Sequence, residues 1–200
     1  MNMKILGIRS LLILLLIIGC TNNNKSRAKQ VHMQNITPRD CVLLNDSAFK
    51  YITRYNFKHS SKDLDTALFL LKQATLCDTG YFVAYSNMAN TYDAMRGYKN
   101  EIRTLNKMIY IKNSWWTLTR KGLAYQKLND VNSANKEYTS VDSLCQSKMK
   151  KEPDNVLLII DYITFKATAY GKIAGKKELN IQIKKHPELK SEIINATNLN

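Results

Sequence analysis

One local pattern returns along this chain at a nearly constant interval. Tyr85-x-x-Met88-Ala89-x-x-Tyr92 and Leu118-x-x-Lys121-Gly122-x-x-Tyr125 place a large residue, a small residue and a tyrosine at the same offsets. A polar break follows each, Arg96-Gly97-Tyr98 and Leu128-Asn129-Asp130. Beyond each break comes a second segment, Glu101-x-x-x-Leu105 and Ala134-x-x-x-Tyr138, and an earlier copy reads Ala67-x-x-x-Leu71. Tyr92 and Tyr125 are 33 residues apart, and the anchors at 67, 101 and 134 are spaced by 34 and 33. Apolar residues three and four apart predict amphipathic helices. A repeat of this length is one pair of helices with an apolar face it cannot bury alone, so neighbours must stack on it. With 7 Gly and 3 Pro among 200 residues, there is little material for a turn-rich β architecture.

These spacings resemble the tetratricopeptide repeat, whose units follow W-x2-L-G-x2-Y…A-x3-F…P over about 34 residues. The resemblance covers residues 47–147 as three units, 48–81, 82–114 and 115–147. It implies an all-α fold, a right-handed superhelix of antiparallel helix pairs. The second and third units match well. The first departs in its opening helix, where Tyr51, Arg54, Tyr55 and Lys58 occupy the signature positions. Glu101 stands where the second unit wants a small residue, and Thr79, Asn113 and Gln146 replace the closing proline. Ser60-x-x-Asp63 reads as a capping box ahead of the first unit's second helix. Past 147 the pattern loosens. Pro153 stops the preceding helix, Asp154 or Asn155 caps a helix over 156–170, Gly171 ends it, and Pro187 opens a last helix. Residues 148–200 thus predict a degenerate fourth pair and a C-terminal capping helix.

The N-terminus carries an address. A head with Lys4 and Arg9 precedes the apolar run Leu11–Ile18, and Gly19-Cys20 follows. The run is too short to span a bilayer, which needs about 20 apolar residues, and its layout is that of a secretory signal. Ile17-Ile18-Gly19-Cys20 resembles the bacterial lipobox. That resemblance implies a signal peptide over 1–19 and palmitate-type lipidation of Cys20 as the new first residue. Residues 20–46 then read as lipidated Cys and flexible tether, because Thr21–Gln30 is polar, basic and aperiodic. Thr21 rather than Asp after the lipid site fits an outer-membrane lipoprotein facing the periplasm.

The chain's net charge of +14 favours acidic partners or an anionic membrane surface. In an exported protein it does not point to nucleic acid. With Cys20 lipidated, Cys41, Cys77 and Cys145 remain; an odd number leaves one thiol over, and a Cys41–Cys77 bridge is one option in an oxidising compartment. Catalytic signatures are missing. His32, His59 and His186 are far apart and outside any local metal-binding spacing, and no phosphate loop or nucleophile elbow occurs. The sequence predicts a binding protein without cofactor or metal, not an enzyme.

The repeat resemblance implies that the first helix of each unit lines a concave groove for a peptide or protein partner. Some relatives grip a peptide's terminal carboxylate with two Asn, two Lys and one Arg. The matching positions here hold Asn56, Asn87 and Arg120, while Ile52 and Trp116 replace the lysines. Asn90 and Lys127, on the same helices, complete the candidate groove set with Trp116. The expected function is a membrane-anchored interaction scaffold of the cell envelope. The alternative is a glycan- or envelope-binding accessory lipoprotein of a nutrient-uptake system. A row of cations, Arg96, Lys99, Arg103, Lys107 and Lys112, follows the second unit's second helix and reads as a solvated convex face or an anionic docking patch.

Overall fold

The computed structural model describes residues 37–197 and Leu199. The expected signal peptide, lipidation at Cys20 and tether up to residue 36 fall outside the described residues. Among the described residues there are nine α-helices, one 3-10 turn and no strand. They are α1 Pro38–Lys58, α2 Ser61–Cys77, α3 Phe82–Ala94, α4 Tyr98–Ile111, α5 Trp115–Lys127, α6 Val131–Lys151, α7 Val156–Tyr170, α8 Lys172–Lys185 and α9 Lys190–Thr197, with the 3-10 turn Pro187–Leu189 before α9. Each helix packs on the next in sequence, most extensively within α1/α2, α3/α4, α5/α6 and α7/α8. Helices joined by such short turns run antiparallel.

The repeated turns are alike in atomic detail. Tyr92 and Tyr125 are each the eleventh residue of a helix of 13. The Tyr92 carbonyl accepts the Gly97 N–H at 2.7 Å, and the Tyr125 carbonyl accepts the Asp130 N–H at 3.0 Å. Between them Arg96 (φ 56°) and Asn129 (φ 60°) take the left-handed conformation. Both ends are therefore Schellman turns, which satisfy the last carbonyls of a helix. The helices that follow start on side-chain caps where the residue allows it. Asp130 accepts from the Ser133 N–H at 3.0 Å, Ser114 from Thr117 at 3.2 Å and Asn155 from Leu158 at 3.2 Å.

Three clusters fill the interior. The first joins α1 to α4 around Ala48, Leu71, Ala89 and Leu105. The second joins α5 to α7 around Leu118, Tyr138, Val141 and Phe165. The third joins α7 to α9 around Ile159, Ile163, Leu179 and Ile193. Helix α7 buries residues in both the second and the third, which explains its nearly continuous apolar run.

Size is matched across the helix pairs. A Cβ on Gly122 would stand 2.3 Å from Cε1 of Tyr138 and 2.8 Å from its Cδ1. One repeat earlier the same two offsets hold Ala89 and Leu105, both fully buried. The larger ring in α6 thus requires the smaller residue in α5. Tyr138 also buries a hydroxyl that has no partner, and burial pushes its phenol up to about 12. Such a group costs about 1–3 kcal/mol. Ring contacts to Tyr170 at 5.5 Å and Phe165 at 6.1 Å offset it, at about 0.5–1.5 kcal/mol each.

Two expectations change, and one open alternative is settled. Helix α1 begins at Pro38, inside the stretch read as tether and well before Ser47. Pro38 opens the helix with its φ preset, Asp40 sits in the first turn, and Cys41, Asn45 and Ala48 make the buried stripe. Ser60 precedes α2 without a side-chain cap bond. Asp63 turns instead to Arg54, which donates Nε to Oδ2 at 2.8 Å and a second bond to Oδ1. Finally, Cys41 and Cys77 are joined by a disulfide, with Cα atoms 5.6 Å apart across a separation of 36 residues. In the chain-entropy account a loop of that length contributes about 3–4 kcal/mol. Cys145 remains a buried thiol, pushed up to about 11 by burial, so it is inert at neutral pH.

The size match is testable by thermal denaturation. Gly122→Ala should cost about 1–3 kcal/mol through overpacking, despite the gain in helix propensity. Adding Tyr138→Leu, which copies the Ala89/Leu105 arrangement, should recover most of that loss. Equal destabilisation in the single and double variants would show that the two positions are not coupled.

Candidate functional site

A cleft of about 350 Å³ opens between α3, α5 and α7, with Glu101 of α4 at its floor. Trp116, Arg120 and Lys127 line it from one face of α5, spaced by four and then seven residues. Asn90 and Asp93 contribute from α3, and Thr164 and Thr168 from α7. The lining thus comes mainly from the first helices of successive pairs. Trp116 leaves 43% of its surface exposed, whereas Trp115 is half-buried against the second cluster and donates its indole N–H to Asp161 Oδ2 at 3.1 Å.

Four of the six candidate groove residues meet here: Asn90, Trp116, Arg120 and Lys127. The other two do not. Asn56 is exposed on α1. Asn87 donates its amide to the Asn45 Oδ1 at 2.9 Å, tying α3 to the buried side of α1. Asn45 is 5% exposed, so this bond satisfies a polar group inside the first cluster, a structural duty.

The cations of the cleft are already engaged. Arg120 donates Nε to Glu101 Oε1 at 2.9 Å and a second bond to Asn90 Oδ1. Its guanidinium lies 5.6 Å from the Trp116 ring centre. Lys127 pairs with Asp93 and stands 5.3 Å from the Tyr98 ring. The neighbouring Lys121 turns away to Glu137 of α6 at 2.8 Å. The cleft is therefore internally neutralised, with Trp116, Leu123, Thr164 and Thr168 as its free lining.

Glu101, a misfit at a small-residue position in the sequence, proves to underlie the cleft. It occupies the crossing position that Ala67 and Ala134 fill elsewhere, and is 2% exposed. Burial raises its pKa, opposed by the Arg120 hydrogen bond and charge. Its second oxygen, Oε2, has no partner. One signal was available: Glu101 is the sole acid among eight basic residues between Arg96 and Lys127. The cations of the row along and flanking α4, Arg96, Lys99, Arg103, Lys107 and Lys112, are all exposed.

A second cleft, of about 520 Å³, lies at the C-terminal end between α6, α7 and α8. Met149, Tyr162 and Ile181 give it an apolar wall, and Gln182, Lys185 and His186 a polar one. No residue of the candidate groove set lines it. No helix among the described residues is long and apolar enough to cross a membrane. No protein-family model matches this chain, and no curated protein matches its sequence.

The buried pair sets a pH signature. Removing one partner of a buried ion pair costs about 3–5 kcal/mol, because the other charge is stranded. Glu101 has a raised folded-state pKa, so any stability linked to its protonation is present at low pH and lost as pH rises through that pKa. Arg120→Ala should raise it further. The variant's deficit, measured by urea denaturation, should be largest near pH 8 and shrink toward pH 5. Adding Glu101→Ala, which restores the small residue of the other units, should remove most of the deficit at pH 8. A deficit independent of pH would refute this account.

Proposed function

We propose that this chain is a lipid-anchored envelope protein of the tetratricopeptide type, a right-handed superhelix that holds a segment of a partner protein in the α3/α5/α7 cleft. The observation that carries the reading is the composition of that cleft: successive first helices supply an exposed tryptophan and hydroxyl side chains, over a floor whose charges are paired with one another. Such a lining suits an extended peptide, with an apolar side chain against Trp116 and backbone amides toward Thr164 and Thr168. A terminal carboxylate is the poorer occupant, because Arg120 and Lys127 are committed to Glu101, Asn90 and Asp93. The matching turns at Arg96 and Asn129 support the repeat assignment. The Cys41–Cys77 bridge supports an address outside the reducing cytoplasm, in keeping with lipidation at Cys20.

The test uses exposed cleft positions, since Arg120 has a structural duty. Protein captured from detergent-solubilised membranes by the wild type should be lost with Trp116→Ala and with Thr168→Arg. It should be retained with the convex-face variant Lys107→Ala. A partner that survives both cleft variants removes the groove reading. Labelled palmitate should enter the wild-type chain and not Cys20→Ser; label in both would remove the anchor reading.

A further inference from the structure

The strongest constellation outside the cleft lies where the C-terminal helices meet. Asp154 stands in the turn between α6 and α7, His186 caps the end of α8, and Glu188 follows in the 3-10 turn. His186 Nδ1 is 3.6 Å from Asp154 Oδ1 and 3.7 Å from Glu188 Oε1. The three potential ligand atoms all lie within 4.8 Å of one another. We propose that Asp154, His186 and Glu188 form a binding site for a divalent transition-metal ion of the zinc class.

The spacing carries the argument. Separations of 3.6 and 3.7 Å are too long for hydrogen bonds, which a charged imidazole would make at about 2.7–2.9 Å. A tetrahedral zinc ion, with bonds of about 2.0–2.1 Å, holds its ligand atoms about 3.3–3.4 Å apart. Both carboxylates thus stand from the imidazole at nearly the spacing a central ion imposes, and the third separation lies within 4.8 Å. The imidazole nitrogen favours zinc and its neighbours over the hard cations that two carboxylates alone would take.

Placement and charge agree. The His186 side chain is 14% exposed and so held by its surroundings, while Asp154 and Glu188, at 84% and 60%, can turn to complete the site. The His186 backbone N–H is bonded to the Gln182 carbonyl at 2.9 Å, which fixes the residue at the end of α8, where the helix dipole favours positive charge. In so basic a chain, neither carboxylate forms an ion pair with a lysine or arginine among the described residues; each has only His186. A bound ion would join the α6–α7 turn to the end of α8. Three protein ligands would leave a fourth position for water or for a donor from a partner. Local sequence spacing could not show this, because Asp154 comes from a turn 32 residues before His186.

The experiment is calorimetric titration of the untagged, metal-free full chain with zinc chloride, with magnesium chloride as the hard-cation control. One zinc per chain is expected, with a rise in melting temperature that a chelator reverses. Asp154→Asn and Glu188→Gln, at exposed positions that leave the circular dichroism unchanged, should each weaken zinc binding at least tenfold, and His186→Ala should abolish it. X-ray absorption of the zinc-loaded chain should show nitrogen and oxygen neighbours near about 2.0 Å. No zinc uptake at 1 mM, or uptake unchanged in both carboxylate variants, overturns the proposal. The outcome is independent of the α3/α5/α7 cleft, whose variants touch none of these residues.

Discussion

Close approach of helix backbones is the constraint on which this structure rests. Ala67, Ala89 and Ala134 are wholly buried at the crossings. At Gly122 even one more carbon would collide with the Tyr138 ring. The fourth pair repeats the device in other residues: a Cβ on Gly175 would fall 2.5 Å from that of Ala167. Dispersion and apolar burial both decay quickly with separation, so a small residue at each crossing lets the larger neighbours make full contact. Where the rule is broken, at Glu101, the chain must compensate with Arg120. That compensation forms the floor of the cleft.

How much of this was legible in the residues follows from the range of the forces involved. The interval from Tyr92 to Tyr125, the small residues beside them and the breaks at Gly97 and Asn129 are local features, and each one marks an observed turn or crossing. Pro153 and Gly171 likewise bound α7 as their backbone chemistry dictates. What could not be seen depends on side chains meeting from distant elements. Asp63 could have capped α2, but Arg54 offers a two-pronged bond that Ser60 cannot match. Asn87 matched a binding position in the repeat pattern, yet the buried Asn45 claims its amide. The start of α1 was obscured because a proline reads as a break, whereas at the first helical position its preset φ and missing N–H are no hindrance.

The cleft shows how pairing limits what a surface can recognise. A strongly basic chain would be expected to present cations to its ligand, yet here the two cations of the groove already hold Glu101, Asn90 and Asp93. An anionic ligand would have to compete with carboxylates that are preorganised and, for Glu101, shielded from water. The free positive charge lies instead on the exposed row from Arg96 to Lys112. The fold therefore separates two kinds of surface, a neutral aromatic cleft and a basic outer face, on the two sides of one helix pair.

The bridge between Cys41 and Cys77 also changes how the domain bears mechanical load. Cys41 is the fourth residue of α1, and Cys77 is the last of α2. Tension applied to the chain on its N-terminal side meets a covalent link within the first turn and passes straight to the last residue of α2, and from there toward α3. Most of α1 and nearly all of α2 are thereby shunted out of the force path. The hairpin cannot be peeled from its start one hydrogen bond at a time; it yields only by shearing the whole pair from the stack or by reduction of the sulfur link.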